Sequence, residues 1–287
     1  MSDRRTFFKH ATVGALGFAL PEQVALHADS SEHKVAIITN TLRNEMKADY
    51  RKAYETLSEI GYQQIEGSNV PEDMTTQEYL YFLDSLGLEH IATGANMSGM
   101  EREGIGQYLE KAEGLGAKYI VCYYPWVTSA ENLEMPEVME TAARINKYGK
   151  LFKEAGFRFA WHNHDKEFAD VEGKAAFDLL MQNTDPDYST VELDWYWVVK
   201  GGHDPALLFE KYPGRFELAH VKDMNNNRNM GKTCVGNGII DFEPIFKKAP
   251  LGGVKHFIVE NESAIDGYAC ARGSYHHIVN MLEQTKI

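Results

Sequence analysis

From about residue 32 onward the chain repeats one cadence: a short apolar run, a polar turn, then a longer stretch whose apolar residues recur every three or four positions. Short apolar runs between turn residues mark strands buried on both faces, and the three-to-four spacing marks amphipathic helices. Read this way, strands are predicted at 35–38, 64–66, 90–92, 119–123, 157–161, 190–193, 217–219 and 257–259. Helical periodicity fills the intervals, with Ala53, Leu57 and Ile60 before Gly61, and Tyr148, Leu151 and Phe152 before Gly156. At four joints, Ile60-Gly61-Tyr62, Leu86-Gly87-Leu88, Leu115-Gly116-Ala117 and Ala155-Gly156-Phe157, a helix ends at glycine and a strand follows. Glycine takes the left-handed backbone that turns a helix back into a parallel strand. Eight such alternations in a chain of 287 residues predict an α/β fold, a single (β/α)8 TIM barrel. An open doubly wound sheet is the competing arrangement, but no G-x-G-x-x-G follows the first strand.

A barrel of this kind carries its chemistry at the C-terminal ends of its strands. The first four predicted strands end in Thr39-Asn40, Glu66, Thr93 and Tyr124-Pro125-Trp126, groups suited to hydrogen bonding or stacking. The last four end in His162-Asn163-His164-Asp165 with Glu167, in Glu192 and Asp194, in His220 with Lys222-Asp223, and in Glu260 with Glu262. A lone His or Asp after a strand is more often a loop cap than a ligand. Four consecutive strand ends bearing imidazole and carboxylate groups instead provide the converging donors that a divalent cation needs, and a mixed N/O set suits Mn, Co, Mg, Zn or Fe.

The ordered series WHNHDKEF, VELDWYW, ELAHVKDM, VGNGIIDF and HFIVENE resembles the sugar phosphate isomerase/epimerase group of the xylose-isomerase-like TIM barrels over roughly residues 33 to 287. The resemblance implies one divalent metal held by Glu, Asp, His and Glu from strands five to eight, and it matches Asp194, His220 and Glu260 to the last three of these. At the fifth strand, where many members place glutamate, this chain has His162. Glu167 is then the expected fourth ligand, leaving His162 or His164 to carry protons. The alternative has His162 on the metal with Glu167 behind it. The resemblance further implies isomerisation or epimerisation of a keto sugar through an enediolate, with Glu260 and a strand-five histidine moving protons and Lys222 donating to a substrate oxygen. Elimination from the same intermediate, as in related barrels acting on inososes and 3-keto sugars, is the runner-up. Glu66, Trp126, Asn163, Trp195 and Lys222 are the expected substrate contacts; for the tryptophans, ordinary core packing carries equal weight.

Composition narrows the field. A net charge of -13 works against nucleic acid or an anionic membrane as partner, and against an abasic-site endonuclease of the same fold. A small sugar is the expected partner, and a homodimer is left open. Cys122, Cys234 and Cys270 are odd in number and far apart, so they read as core residues rather than a disulfide framework. The N-terminus reads differently: Arg4-Arg5-Thr6-Phe7-Phe8-Lys9 and a short apolar run to Leu20 form an export signal resembling the twin-arginine type. Residues 1–28 are therefore expected to be a signal, residues 29–287 the barrel domain, and the mature protein periplasmic. A non-catalytic exported sugar-binding barrel is the reading from another class, opposed by the crowding of carboxylates at one rim. Asp241 is predicted to cap the helix after the Gly236-Asn237-Gly238 turn, and residues 224–229 to form a mobile rim loop.

Overall fold

The computed structural model describes residues 34–67, 69–127 and 133–287, so the predicted signal lies outside the described residues. All eight predicted strands are present: β1 Lys34–Ile38, β2 Gln64–Glu66, β3 Glu89–Ala95, β4 Tyr119–Cys122, β5 Arg158–His162, β6 Ser189–Asp194, β7 Leu218–Val221 and β8 His256–Val259. Each pairs in parallel with its chain neighbours, and β8 pairs with β1 to close the ring. Ten α-helices accompany the ring among the described residues.

The core forms two shells. Ala36, Ile38, Val121, Ala160, Leu218 and Ile258 fill the barrel lumen, and a much larger set lies between the strands and the helices. Alternation along each strand assigns the shell. On β7 Leu218 faces in, and so do His220 and then Lys222; on β8 Ile258 is followed in the same way by Glu260. The lumen is thus apolar in its middle layer, with Gln64, Arg158 and His256 at the N-terminal end and the site residues at the other.

Local chemistry sets the connections. Gly61, Gly87, Gly116 and Gly156 all have positive φ, from 66° to 118°, as the joints require. Ala53, Leu57, Ile60, Tyr148 and Phe152 are buried against the strands, whereas Leu151 is 38% exposed because it lies on the far side of its helix. Asp241 caps the helix Phe242–Gly252 by accepting from the Glu243 N–H at 3.3 Å. The segment after β7 hydrogen-bonds to itself. Asp223–Met224 pairs antiparallel with Lys232–Thr233, and the intervening Asn225 and Asn227 side chains accept from the backbone N–H groups of residues 227, 229 and 231. The glycine-rich turn behind it encloses a carboxylate of its own chain, since the N–H groups of Met224, Gly236, Gly238 and Ile240 all donate to Asp223.

One expectation about cysteine is overturned. Cys122 is buried and free, but Cys234 and Cys270 form a disulfide, with Cα atoms 5.4 Å apart. Thirty-six residues separate them in sequence, and closure of the barrel brings the segment after β7 onto the first turns of the helix Gly267–Thr285.

Candidate metal and acid–base site

The C-terminal mouth of the barrel opens into a cavity of about 390 Å³ whose walls include Thr39, Asn40, Tyr123, His164, Trp197 and Glu262, with His162, His220, Lys222 and Glu260 at its floor. Neighbouring strand ends stand in register, with His162 opposite Glu192 and Asp194 opposite His220. Parallel pairing therefore brings these groups side by side without help from flexible loops.

Two overlapping groups of donors lie close enough to share an ion: Asp194, His220 and Glu260, and His162, Glu192 and His220. His220 Nδ1 lies 3.0 Å from Glu260 Oε2, and His162 Nε2 lies 3.9 Å from Asp194 Oδ2. Asp194 Oδ2 is fully buried without a hydrogen-bond partner, although the Lys222 ammonium is 3.3 Å away as an ion pair. A buried carboxylate oxygen left in that state, among two imidazoles and a second carboxylate, is a donor set that fits a divalent cation.

The protonation states follow from burial and charge. Burial drives the His162 imidazole well below its ordinary range, helped by His220 and His164, so it is neutral. Burial, with Lys222 adding to it, lowers His164 to about 4. His220 goes the other way: burial opposes its charge, but Glu192 and Glu66 overcome that and hold it well above the usual value. Burial raises Asp194, with Lys222 opposing. For Glu260 the burial penalty is outweighed by Lys222 and His220, which keep it ionised. Lys222 is 1% exposed, and Asp194 and Glu260, the latter at 2.5 Å, hold it charged against its own burial penalty.

Not every expected residue joins this convergence. Glu167 belongs to neither donor group: its carboxylate accepts from Trp126 Nε1 and, at 2.7 Å, from the His164 N–H, so it shapes the turn after β5. Burial raises it to about 7. His162 instead lies in the donor group with Glu192 and His220. Trp126 is buried by its bond to Glu167 rather than presented to the cavity. Asn163 ties strand ends together, accepting from the Asp194 N–H at 2.9 Å and donating to the Asp194 carbonyl. Trp195 is one residue beyond the inward-facing Asp194 and so points outward, packed among Phe209, Phe242, Phe246 and Phe257. Trp197 takes the wall position instead. Glu66 lies beneath the cavity, accepting from Tyr123 Oη at 2.6 Å and approaching His220 Nε2 at 3.3 Å.

Two further residues join the site: Glu192, fully buried under the cavity floor, and Tyr123 on its wall. Glu192 is two positions before Asp194 on the same strand, and two-residue periodicity already places both on the lumen face.

The comparisons agree with this architecture. A family model described as xylose isomerase-like TIM barrel matches residues 54–268. An inosose dehydratase from Clostridium perfringens is 30% identical over 146 residues, 45% of this chain and 44% of that protein. An inosose dehydratase from Lacticaseibacillus casei is 28% identical over 134 residues, 41% of this chain and 44% of that protein. The chain thus aligns with less than half the length of these curated relatives. The crystal structure of a sugar phosphate isomerase/epimerase from Parabacteroides distasonis shares the fold with a TM-score of 0.74 at 24% identity, over 90% of this chain and 98% of that one. On the family match and the closed eight-stranded ring together, the chain belongs to the xylose isomerase-like TIM barrel family.

Proposed function

We propose that the protein is a divalent-metal-dependent enzyme that removes a proton from the carbon next to the carbonyl of a keto sugar or related polyol ketone. The observation that carries the reading is the convergence of Asp194, His220 and Glu260 with the neutral His162 and the buried Lys222 on the floor of one cavity. His162, Asp194, His220 and Glu260 would hold the ion, which supplies Lewis-acid stabilisation of the negative charge that builds on the carbonyl oxygen.

The chain's own groups supply the rest. His164 lines the cavity, stays neutral to about pH 4, and has an Nδ1 that is buried without a hydrogen-bond partner. A neutral imidazole with an open nitrogen is suited to accept the substrate proton and return it. Lys222 is held charged on the same wall and can donate to a substrate oxygen. Trp197 offers an aromatic edge to the cavity with the Lys200 ammonium 4.3 Å from its centroid, and its wall helps to exclude water from the reacting centre.

Two outcomes branch from the enediolate, reprotonation (isomerase or epimerase) and loss of a β-hydroxyl or alkoxy group (dehydratase or lyase). The inosose dehydratase relatives support elimination. A second feature bears on substrate size. At Thr39 and Asn40 the cavity meets a groove of about 1130 Å³ lined by Arg43, Lys47, Tyr50, Asn69 and Asp73, room for a substituent beyond the reacting ring. It supports a 3-keto sugar carrying such a substituent as the eliminating substrate. Export to the periplasm remains part of the proposal, supported by the paired arginines at the N-terminus and by a disulfide of the sort that persists in oxidising compartments.

Incubation of the Mn(II)-loaded protein in D2O with inososes, keto sugars and 3-keto-glycosides, followed by NMR, tests the reading. Deuterium entering at the carbon next to the carbonyl with an unsaturated ketone appearing is the expected result. Exchange with an intact skeleton would select the isomerase branch, and no exchange with any member of the panel would contradict the proposal.

A further inference from the structure

Beneath the cavity floor lies a layer that the proposed chemistry does not use. Glu192 is fully buried, and its Oε2 lies 2.9 Å from His162 Nδ1 and 3.3 Å from His220 Nε2, so one carboxylate oxygen meets both imidazoles. The two rings stand 4.8 Å apart at 66° to each other. Their remaining nitrogens, His162 Nε2 and His220 Nδ1, face the Asp194 and Glu260 carboxylates. Glu192 Oε2 is placed to accept from both rings, so with a cation held each histidine would keep its hydrogen on the nitrogen that meets Glu192. That places Nδ1–H on His162 and Nε2–H on His220, opposite tautomers, with the hydrogen between His220 Nδ1 and Glu260 displaced by the cation so that both lone pairs serve the Asp194–Glu260 side. Glu66, with its own hydrogen bond from Tyr123, backs the same face of His220.

We infer that Glu192 is a positioning residue that fixes the opposite tautomers of His162 and His220, and thereby builds a two-imidazole, two-carboxylate site that selects Zn(II), Co(II) or Fe(II) over Mg(II). The inference rests on the metal reading above. Ligating histidines are commonly oriented by a carboxylate on their far nitrogen, and loss of that partner lowers metal affinity 10–100-fold. Here one carboxylate serves two ligands, so its removal frees both rings at once. The selectivity follows from the donors: imidazole nitrogen suits Zn, Co and Fe, whereas Mg prefers an all-oxygen shell.

Co(II) titration followed by visible absorption tests this on the folded protein, using wild type, Glu192→Gln, Glu192→Leu and Asp194→Asn, with competition by Zn(II) and Mg(II). Glu192→Gln is nearly the same size, and its amide oxygen can still accept from one ring. Expected are a roughly 10-fold weaker Co(II) affinity for Glu192→Gln, a loss nearer 100-fold for Glu192→Leu, and altered ligand-field bands in both. Wild type should bind Zn(II) in the presence of a thousandfold excess of Mg(II). Wild-type affinity and bands in both Glu192 variants, together with metal loss in Asp194→Asn, would overturn the inference and leave the metal reading standing. No Co(II) binding by wild type would remove that reading and this inference together.

Discussion

Lys222 lies between Asp194 and Glu260 with almost no solvent contact, so the three charges depend on one another. Replacing it with methionine leaves two buried carboxylates facing each other; breaking such a network by removing one partner costs about 3–5 kcal/mol. The metal-free Lys222→Met protein is expected to melt well below wild type, and saturating Mn(II) to recover most of the difference, measured by calorimetry. Asp194→Asn and Glu260→Gln should instead weaken Mn(II) binding in the same calorimetry, whereas His164→Gln should bind the ion and lower kcat/KM by about 10²–10⁴, the range typical of a lost acid–base group. At this scale the sequence was readable where alternation is strict. Asp194, His220, Lys222 and Glu260 stand at lumen-facing positions of strands that the apolar runs already delimit. It was less readable past the strand ends. Glu167 and Trp126 satisfy each other across 41 residues, a pairing that no local pattern announces, and Trp195 turns outward where its helix begins.

The helix Met135–Glu154 packs so closely on the barrel that Gly149 has no room for a side chain: an added Cβ would meet the Tyr188 carbonyl oxygen at 2.5 Å. Gly149→Ala must push the helix off the loop before β6, at a cost of about 1–3 kcal/mol that should appear as a lowered denaturation midpoint. The disulfide is the other device at this scale. It fastens the segment after the Asp223 ribbon to the C-terminal helix, and Asn261, next to Glu260, touches both sulfurs. Cys270→Ser is expected to cost about 2–4 kcal/mol in urea melts of the oxidised protein and almost nothing when both proteins are reduced. Strand and helix positions were legible because each is a local period closed by glycine. The cystine was not, because its two halves meet only after the ring has closed.

Across the whole molecule, buried neutral histidines set the acid limit. Burial lowers His90, bonded to Tyr79 at 3.0 Å, and His256, bonded to Gln64 at 2.7 Å, to about 4. The unfolded chain takes up these protons near pH 6.5 and the folded one does not. Their contribution is therefore complete above about pH 6.5 and is lost as the pH falls toward 4, by at most about 3 kcal/mol for each group. Thermal midpoints should fall steadily across that window, and less steeply in His90→Gln. His220 carries a proton that a cation must displace, so metal loading should release protons and tighten with rising pH. The measurement that bears most directly on the account is anomalous diffraction from crystals soaked in Co(II). One strong peak bonded by His162, Asp194, His220 and Glu260, with Glu192 behind both imidazoles, is the expected result; no peak there, or one bound by Glu167 in place of His162, would contradict the proposed site.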